Sequence, residues 1–228
     1  SPILNTVGQF LSSQTIRNII GHPVSTVNLE TMMNEGKIIF ANLSQGKLGE
    51  DNSALLGAML ITKMQLSAMN RVYVAETARR DFYLYVDEFQ NFATTSFVKI
   101  LSEARKYRLC LSLANQYIGQ IDEEVAMAIF GNAGSLVVFR VGPDDAEYLK
   151  NFFEPIFTPQ DLVNIDNFNA YVKLLINDKT SKPFNIQTIK EHAGQPEMFE
   201  YIKELSRTTY GRPRELVEEE IRKGFEMI

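Results

Sequence analysis

An α/β fold, with a mostly parallel sheet flanked by helices, is what these 228 residues predict, and three observations carry it. Five short runs rich in Val, Ile, Leu, Phe and Tyr fall between residues 38 and 176. Most of these runs are continuously apolar rather than alternating, as expected of strands covered on both faces in a parallel sheet. Segments of helical period fill the intervals, so strand and helix alternate along the middle of the chain.

Taken in order, Val7–Ile20 and Leu29–Met33 carry helical pattern without a strand. Ile38–Leu43 reads as the first strand. Asn52–Asn70 reads as a helix with Asn52 or Ser53 at its N-cap, residue types whose side chains accept a bond from the first turn. Phe82–Val86 is the second strand. In Thr95–Tyr107, residues Phe97, Ile100, Leu101, Ala104 and Tyr107 recur at helical spacing and define one buried stripe. Leu109–Ala114, Leu136–Val141 and Ala170–Ile176 are the remaining strands. Between them lie helices at Glu123–Phe130 and Pro143–Phe152, each with two carboxylates in its first turn, where the macrodipole favours them. After Lys182-Pro183 no strong strand is expected. A helix follows over Glu197–Leu205, and another from Pro213 to the terminus bears a narrow face of Leu216, Val217, Ile221 and Phe225. The expected organisation is a helical flanking or inserted segment at 1–36, an α/β core at 37–190, and a helical extension at 191–228, with helical segments at both ends.

Composition removes several classes of function. The chain is 45% hydrophobic and 22% charged, the balance of a globular protein. A single cysteine, Cys110, excludes an internal disulfide framework and a cysteine-based zinc site, and reads as a buried small hydrophobe. With only His22 and His192, a histidine-rich metal cluster is not expected. The net charge of −5 means that any nucleic-acid contact has to come from local cations, such as Arg79, Arg80, Lys99, Arg105, Lys106 and Arg108. Each of these serves equally as part of a solvated face. The first residues lack the basic-then-apolar pattern of a signal peptide. The greasiest run, Ala54–Ile61, is far shorter than the ~20 residues of a bilayer span, so no direct membrane insertion is expected.

The most informative segment is Phe82-Tyr83-Leu84-Tyr85-Val86-Asp87-Glu88. An apolar strand ending in two adjacent carboxylates is the Walker B pattern of P-loop ATPases. Open α/β sheets gather ligands at the carboxyl ends of their strands, which places Asp87 at the ligand rim. There Asp87 suits Mg²⁺, held through water, and Glu88 suits the orientation of an attacking water. The same two carboxylates would also serve simply to open a loop or cap the next helix. Gln116 lies 29 positions after Asp87, just past the strand Leu109–Ala114, with one helix between. Two parallel strands joined by one helix put their ends on the same rim, so Gln116 is a candidate for the same phosphate. An Asn-Gln pair can equally end a strand. Arg105, in Glu103-Ala104-Arg105-Lys106-Tyr107-Arg108, suits either the favourable C-terminal end of a helix or an arginine finger reaching a neighbouring subunit, worth about 10³–10⁵ in kcat where it exists. Arg140, at the end of an apolar strand, needs a phosphate or carboxylate partner and is a weaker second candidate.

Residues 36–71, LYVDEFQNFAT, SEARKYRL, SLANQYIGQI and FGNAGSLVVFRVGPDDAEYL together resemble the C-terminal half of the motor domain of type IV secretion and conjugation coupling ATPases, the TraG/TraD-like members of the HerA–FtsK group. The resemblance runs over about residues 1–190 and is densest at 82–142. It implies a RecA-like domain that assembles into a hexameric ring and uses ATP with Mg²⁺ to move DNA or DNA–protein secretion substrates toward membrane channel components. It further implies a position at the inner, cytoplasmic face of the membrane. By position, Asp87 and Glu88 match the Walker B pair, Gln116 the glutamine after the following strand, and Arg105 the trans-acting arginine, with a weaker counterpart in Arg140.

One departure qualifies this. No G-x-x-x-x-G-K-[ST] occurs in the sequence; the nearest candidate, Gly46-Lys47, is followed by Leu48 and has Ala41 where the first glycine belongs. Without backbone amides and a lysine to cradle phosphates, the carboxylate pair has no bound substrate. The P-loop half is therefore expected to lie outside this chain, which by itself is expected not to hydrolyse ATP. The alternative is a non-catalytic RecA-like module that docks secretion substrates or partner proteins.

Overall fold

The structure, a computed structural model, describes residues 8, 12–22, 24–93, 95–191 and 194–226. In chain order it contains helices α1 (Gln14–Ile20), α2 (Leu29–Glu35), the single turn α3 (Gln45–Leu48) and α4 (Glu50–Met69). Strand β1 (Phe82–Val86), helix α5 (Thr95–Glu103), strand β2 (Leu109–Leu113), helix α6 (Glu123–Asn132) and strand β3 (Leu136–Val138) follow. Then come α7 (Pro143–Phe153), α8 (Pro159–Val163), β4 (Asn169–Lys173), β5 (Leu175–Ile176), β6 (Lys179–Thr180) and β7 (Phe184–Gln187). Helices α9 (Pro196–Tyr210) and α10 (Arg214–Glu226) end the chain. The chain divides into two compact units, Ser1–Phe82 with Ala193–Ile228, and Tyr83–His192.

The first unit is helical. In α2 the Asn28 side chain accepts from the Thr31 amide at 3.0 Å, and Gly36 ends the helix in the left-handed conformation that glycine adopts without a Cβ penalty. The N-cap of helix α4 is Gly49, three to four residues earlier than expected. Asn52 and Ser53 therefore do not cap it: the Asn52 side-chain amide donates to the Leu48 carbonyl at 2.8 Å, and the buried Ser53 hydroxyl donates to the Leu43 carbonyl. Gly49, at φ 83°, takes the sharp entry instead. The fully buried Arg71 ties α2 to the chain before β1, donating to Asn34 Oδ1 at 3.2 Å and to the Arg80 carbonyl at 2.9 Å. Burial, reinforced by Arg79, holds its guanidinium below the ordinary arginine value. On α10, Glu218 accepts from Gln14 and Asn18 of α1, and Val217 is buried while Leu216 of the expected apolar face is exposed. The side chain of Phe225 and the beginning of the expected first helix, Val7 with residues 9–11, lie outside the described residues.

The expected strand Ile38–Leu43 is not a strand. Its Ile38 and Phe40 are 83% and 85% exposed, and no segment among the described residues forms a ladder with it. Apolar, β-branched composition creates a strand only where a partner supplies the other half of each hydrogen bond.

The second unit holds the sheets. Strands β1 and β2 pair in parallel across the α5 crossover. The α/β class with flanking helices thus stands, while the strands beyond β2 run differently from the sequence expectation. Strand β4 pairs antiparallel with β3, Val137 opposite Val172, and with β7, Ala170 opposite Ile186. Continuous apolar runs report burial on both faces but carry no direction, and β4 itself alternates buried and half-exposed residues. Strand β7 was not expected from the sequence: its four residues, Phe-Asn-Ile-Gln, form an edge too short to show a period. The predicted strand Ala170–Ile176 divides, its end forming the β5–β6 hairpin about the left-handed Asn177-Asp178 pair. Beneath β3 and β4, Val138, Ala146, Leu149, Phe153, Leu162 and Ile165 form one core cluster. No helix among the described residues is long and apolar enough to cross a membrane.

Candidate functional site

The site grows from the carboxyl ends of β1 and β2. Beyond Val86 the chain turns sharply, and Glu88 takes a left-handed conformation at φ 50°, which costs a residue with a Cβ about 1–2 kcal/mol. The next residue holds it there. The Phe89 amide donates to the Ala114 carbonyl at 2.9 Å, and the Ala114 amide donates to the Val86 carbonyl at 2.9 Å, locking the two strand ends together. The Phe89 ring is 1% exposed and packs on Phe97 of α5 with centroids 4.7 Å apart. Burying that ring contributes about 2–3 kcal/mol, enough to offset the strained turn.

This turn presents Glu88 to two amides. Gln116 Nε2 donates to Glu88 Oε1 at 2.8 Å, and Gln90 Nε2 donates to Glu88 Oε2 at 2.6 Å. Asp87 Oδ1 accepts the Glu88 amide at 3.0 Å, and its side chain is exposed. The structure therefore brings together three of the residues singled out from the sequence: Asp87, Glu88 and Gln116. It adds Gln90, whose carbonyl oxygen is buried without a hydrogen-bond donor. The only sequence sign of Gln90 is its place two residues after the carboxylate in Asp-Glu-Phe-Gln. A β-strand continuation would put both on one face, and the tight 3₁₀ turn over Phe89–Asn91 brings them into bonding contact.

Arg105 and Arg140 have other partners. Arg105 Nη2 meets Asp178 Oδ1 of the β5–β6 hairpin at 3.3 Å, with side chains 87% and 80% exposed. Such an exposed pair contributes little and is easily exchanged. Arg140 lies in an irregular stretch beyond the end of β3 and donates to Asn167 Oδ1 at 3.3 Å.

Behind the loop that carries Gln116 stands Asp145, in the first turn of α7. Both of its carboxylate oxygens lie 3.2 Å from the Ile118 amide. Burial pushes its carboxyl above the ordinary carboxylate value, against the opposing pull of the Ile118 bond. Among the described residues no group of three or more His, Cys, Asp or Glu is placed to hold a metal ion. Asp87 with Glu88 fits a different requirement: Mg²⁺ takes one or two carboxylates and keeps several waters.

A family profile described as "TraM recognition site of TraD and TraG" matches residues 81–154, the stretch that contains β1, β2 and the whole Glu88 cluster. No curated protein sequence matches the chain. Among solved structures, the bacterial conjugative coupling protein TrwBdeltaN70 in its unbound monoclinic form is similar at a TM-score of 0.50 and 16% identity, over 75% of this chain and 41% of that one. The plasmid coupling protein TrwB in complex with ADP and Mg²⁺ is similar at a TM-score of 0.50 and 20% identity, over 63% of this chain and 39% of that one. The chain thus spans about two fifths of the length of these structures and shares the fold of that part. Residues 81–154 are thus similar to the TraM recognition site of TraD and TraG, and the chain shares the fold of part of a conjugative coupling protein.

Proposed function

We propose that this chain is the Walker B part of an ATP-hydrolysing, ring-forming motor that moves DNA or DNA–protein substrates to a membrane channel in conjugation or type IV secretion. The observation that carries the reading is the Glu88–Gln116 hydrogen bond across the ends of two parallel strands. It joins a carboxylate able to polarise water to an amide able to orient it, at the rim where α/β sheets bind ligands. Each Glu88 oxygen keeps a second lone pair after accepting from Gln116 or Gln90, so a water can still donate to the carboxylate. The two amides meanwhile hold its orientation. Asp87 is the residue that would hold Mg²⁺ through water; the ion, when bound, neutralises phosphate charge. The exposed Arg105 is available to act on a neighbouring subunit's nucleotide, with Arg140 the weaker candidate for that role.

The test is Glu88→Gln in a protein carrying this segment together with a phosphate-binding loop. Turnover should fall by about 10²–10⁴, the usual contribution of a positioned base, with nucleotide binding retained. Wild-type turnover would refute the assignment. The lack of G-x-x-x-x-G-K-[ST] favours a second reading, a non-catalytic module that docks substrates or partners. Mixing Arg105→Ala with Glu88→Gln subunits separates the two. Regained activity supports a site shared between subunits, and indifference to both substitutions supports the docking module.

A further inference from the structure

We infer that Asp145 is a positioning residue for Gln116: it clamps the loop that aims this amide at Glu88. The inference rests on the reading of Glu88 and Gln116 as a hydrolytic pair. Gln116 sits midway in a short span fixed at both ends. Two residues before it, Ala114 is bonded through its amide to Val86 at the end of β1 and through its carbonyl to Phe89 in the turn beyond. Two residues after it, the Ile118 amide is held by both oxygens of Asp145 at 3.2 Å.

The intervening residues lack such anchors in the core, since Asn115, Gln116 and Tyr117 are all exposed. Holding Gln116 in bonding register with Glu88 therefore falls to the two ends of the span. Asp145 is the only buried carboxylate among the described residues, at 9% exposure. A buried acid is costly unless it is bonded, and the partner it has is the amide that anchors this loop. Its own place is rigid: it lies in the first turn of α7, whose Ala146, Leu149 and Phe153 belong to the core cluster against which the Ile118 side chain packs. The clamp thus ties the Glu88 carboxylate, through Gln116 and the loop, to the core of the Tyr83–His192 unit.

The test uses the full 228-residue chain and needs no ATP turnover, so its result is independent of whether the hydrolytic reading holds. Nuclear magnetic resonance follows the Gln116 side-chain NH₂ signals, assigned by their loss in Gln116→Met, and Glu88→Ala shows which part of their shift and exchange protection reports the carboxylate contact. Asp145→Leu fills the buried volume but removes both acceptors, and should abolish that part. Asp145→Asn keeps one accepting oxygen and should give intermediate protection. Thr158→Ala, which removes the α8 cap and so destabilises the same unit without altering α7 or Ile118, should leave the Gln116 signals as they are. Unchanged Gln116 signals in the Asp145 variants, or the same loss in Thr158→Ala, would overturn the inference. If Asp145→Leu does not fold, wild-type signals in Asp145→Asn overturn it alone.

Discussion

At the scale of single residues, Glu88 is held in a conformation it does not favour. The left-handed turn costs about 1–2 kcal/mol and the buried Phe89 ring offsets it. Glu88→Gly is therefore expected to raise stability slightly, by about 0.5 kcal/mol, because relief of the strained φ exceeds the extra freedom that glycine has when unfolded. A denaturant melt checks this, and a clear loss of stability would show that the Gln116 and Gln90 bonds outweigh the strain. Phe89→Ala should cost about 3–5 kcal/mol in the same melt, since it empties the space against Phe97. The carboxylate pair and Gln116 were legible in the sequence because strand-end chemistry follows from a run of apolar residues and its stop. Gln90 was not, because its contact depends on a 3₁₀ turn that no period announces. Asp145 was read only as a helix-dipole acid, since its partner is a backbone amide 27 positions away.

At the scale of elements, short helices depend on their ends. Helix α8 has a reciprocal cap: Asp161 accepts from the Thr158 amide at 2.7 Å and hydroxyl at 2.8 Å, while Thr158 accepts from the Asp161 amide. Thr158→Ala should cost about 1 kcal/mol. The two bonds from Thr158 hold the Asp161 carboxyl below its ordinary value. Because the folded state prefers the anion, this contribution is complete above the ordinary carboxylate value and fades as the pH falls through the lowered one. The melting-temperature difference between wild type and Asp161→Ala should accordingly be present at about pH 6 and shrink toward about pH 2. A difference independent of pH would show that the cap acts through shape alone. The longer helices were anticipated, with Phe97, Ile100 and Ala104 of the expected stripe buried and Leu101 and Tyr107 half-buried, because a period of 3.6 is written locally; the short α3 and α8 were not, since neither is long enough to show a period. Strands fared unevenly: β1 and β2 were placed within a residue, whereas Ile38–Leu43 lacks a ladder and β7 appeared only as the partner of β4.

At the scale of the whole molecule, the sequence carries −5 charges and no phosphate-binding loop. Calorimetry on the 228-residue chain should give no micromolar binding of Mg-ATP, and such binding would refute the reading that this part supplies only half of a nucleotide site. Its affinity for duplex DNA should be weak and fall further with salt, because few phosphates can be neutralised by an acidic chain. The sequence by itself determined the α/β class, the helices, the carboxylate pair at a strand end and the likeness to TraG/TraD proteins. All of these are properties of contiguous residues, set by period, composition and order. Only the tertiary structure decided which strands pair and in which direction, that Gln116 and Gln90 both bond to Glu88, and that Asp145 anchors the loop behind them. Those outcomes join residues distant in the chain, and a hydrogen bond has no form in the sequence until folding brings its donor to its acceptor.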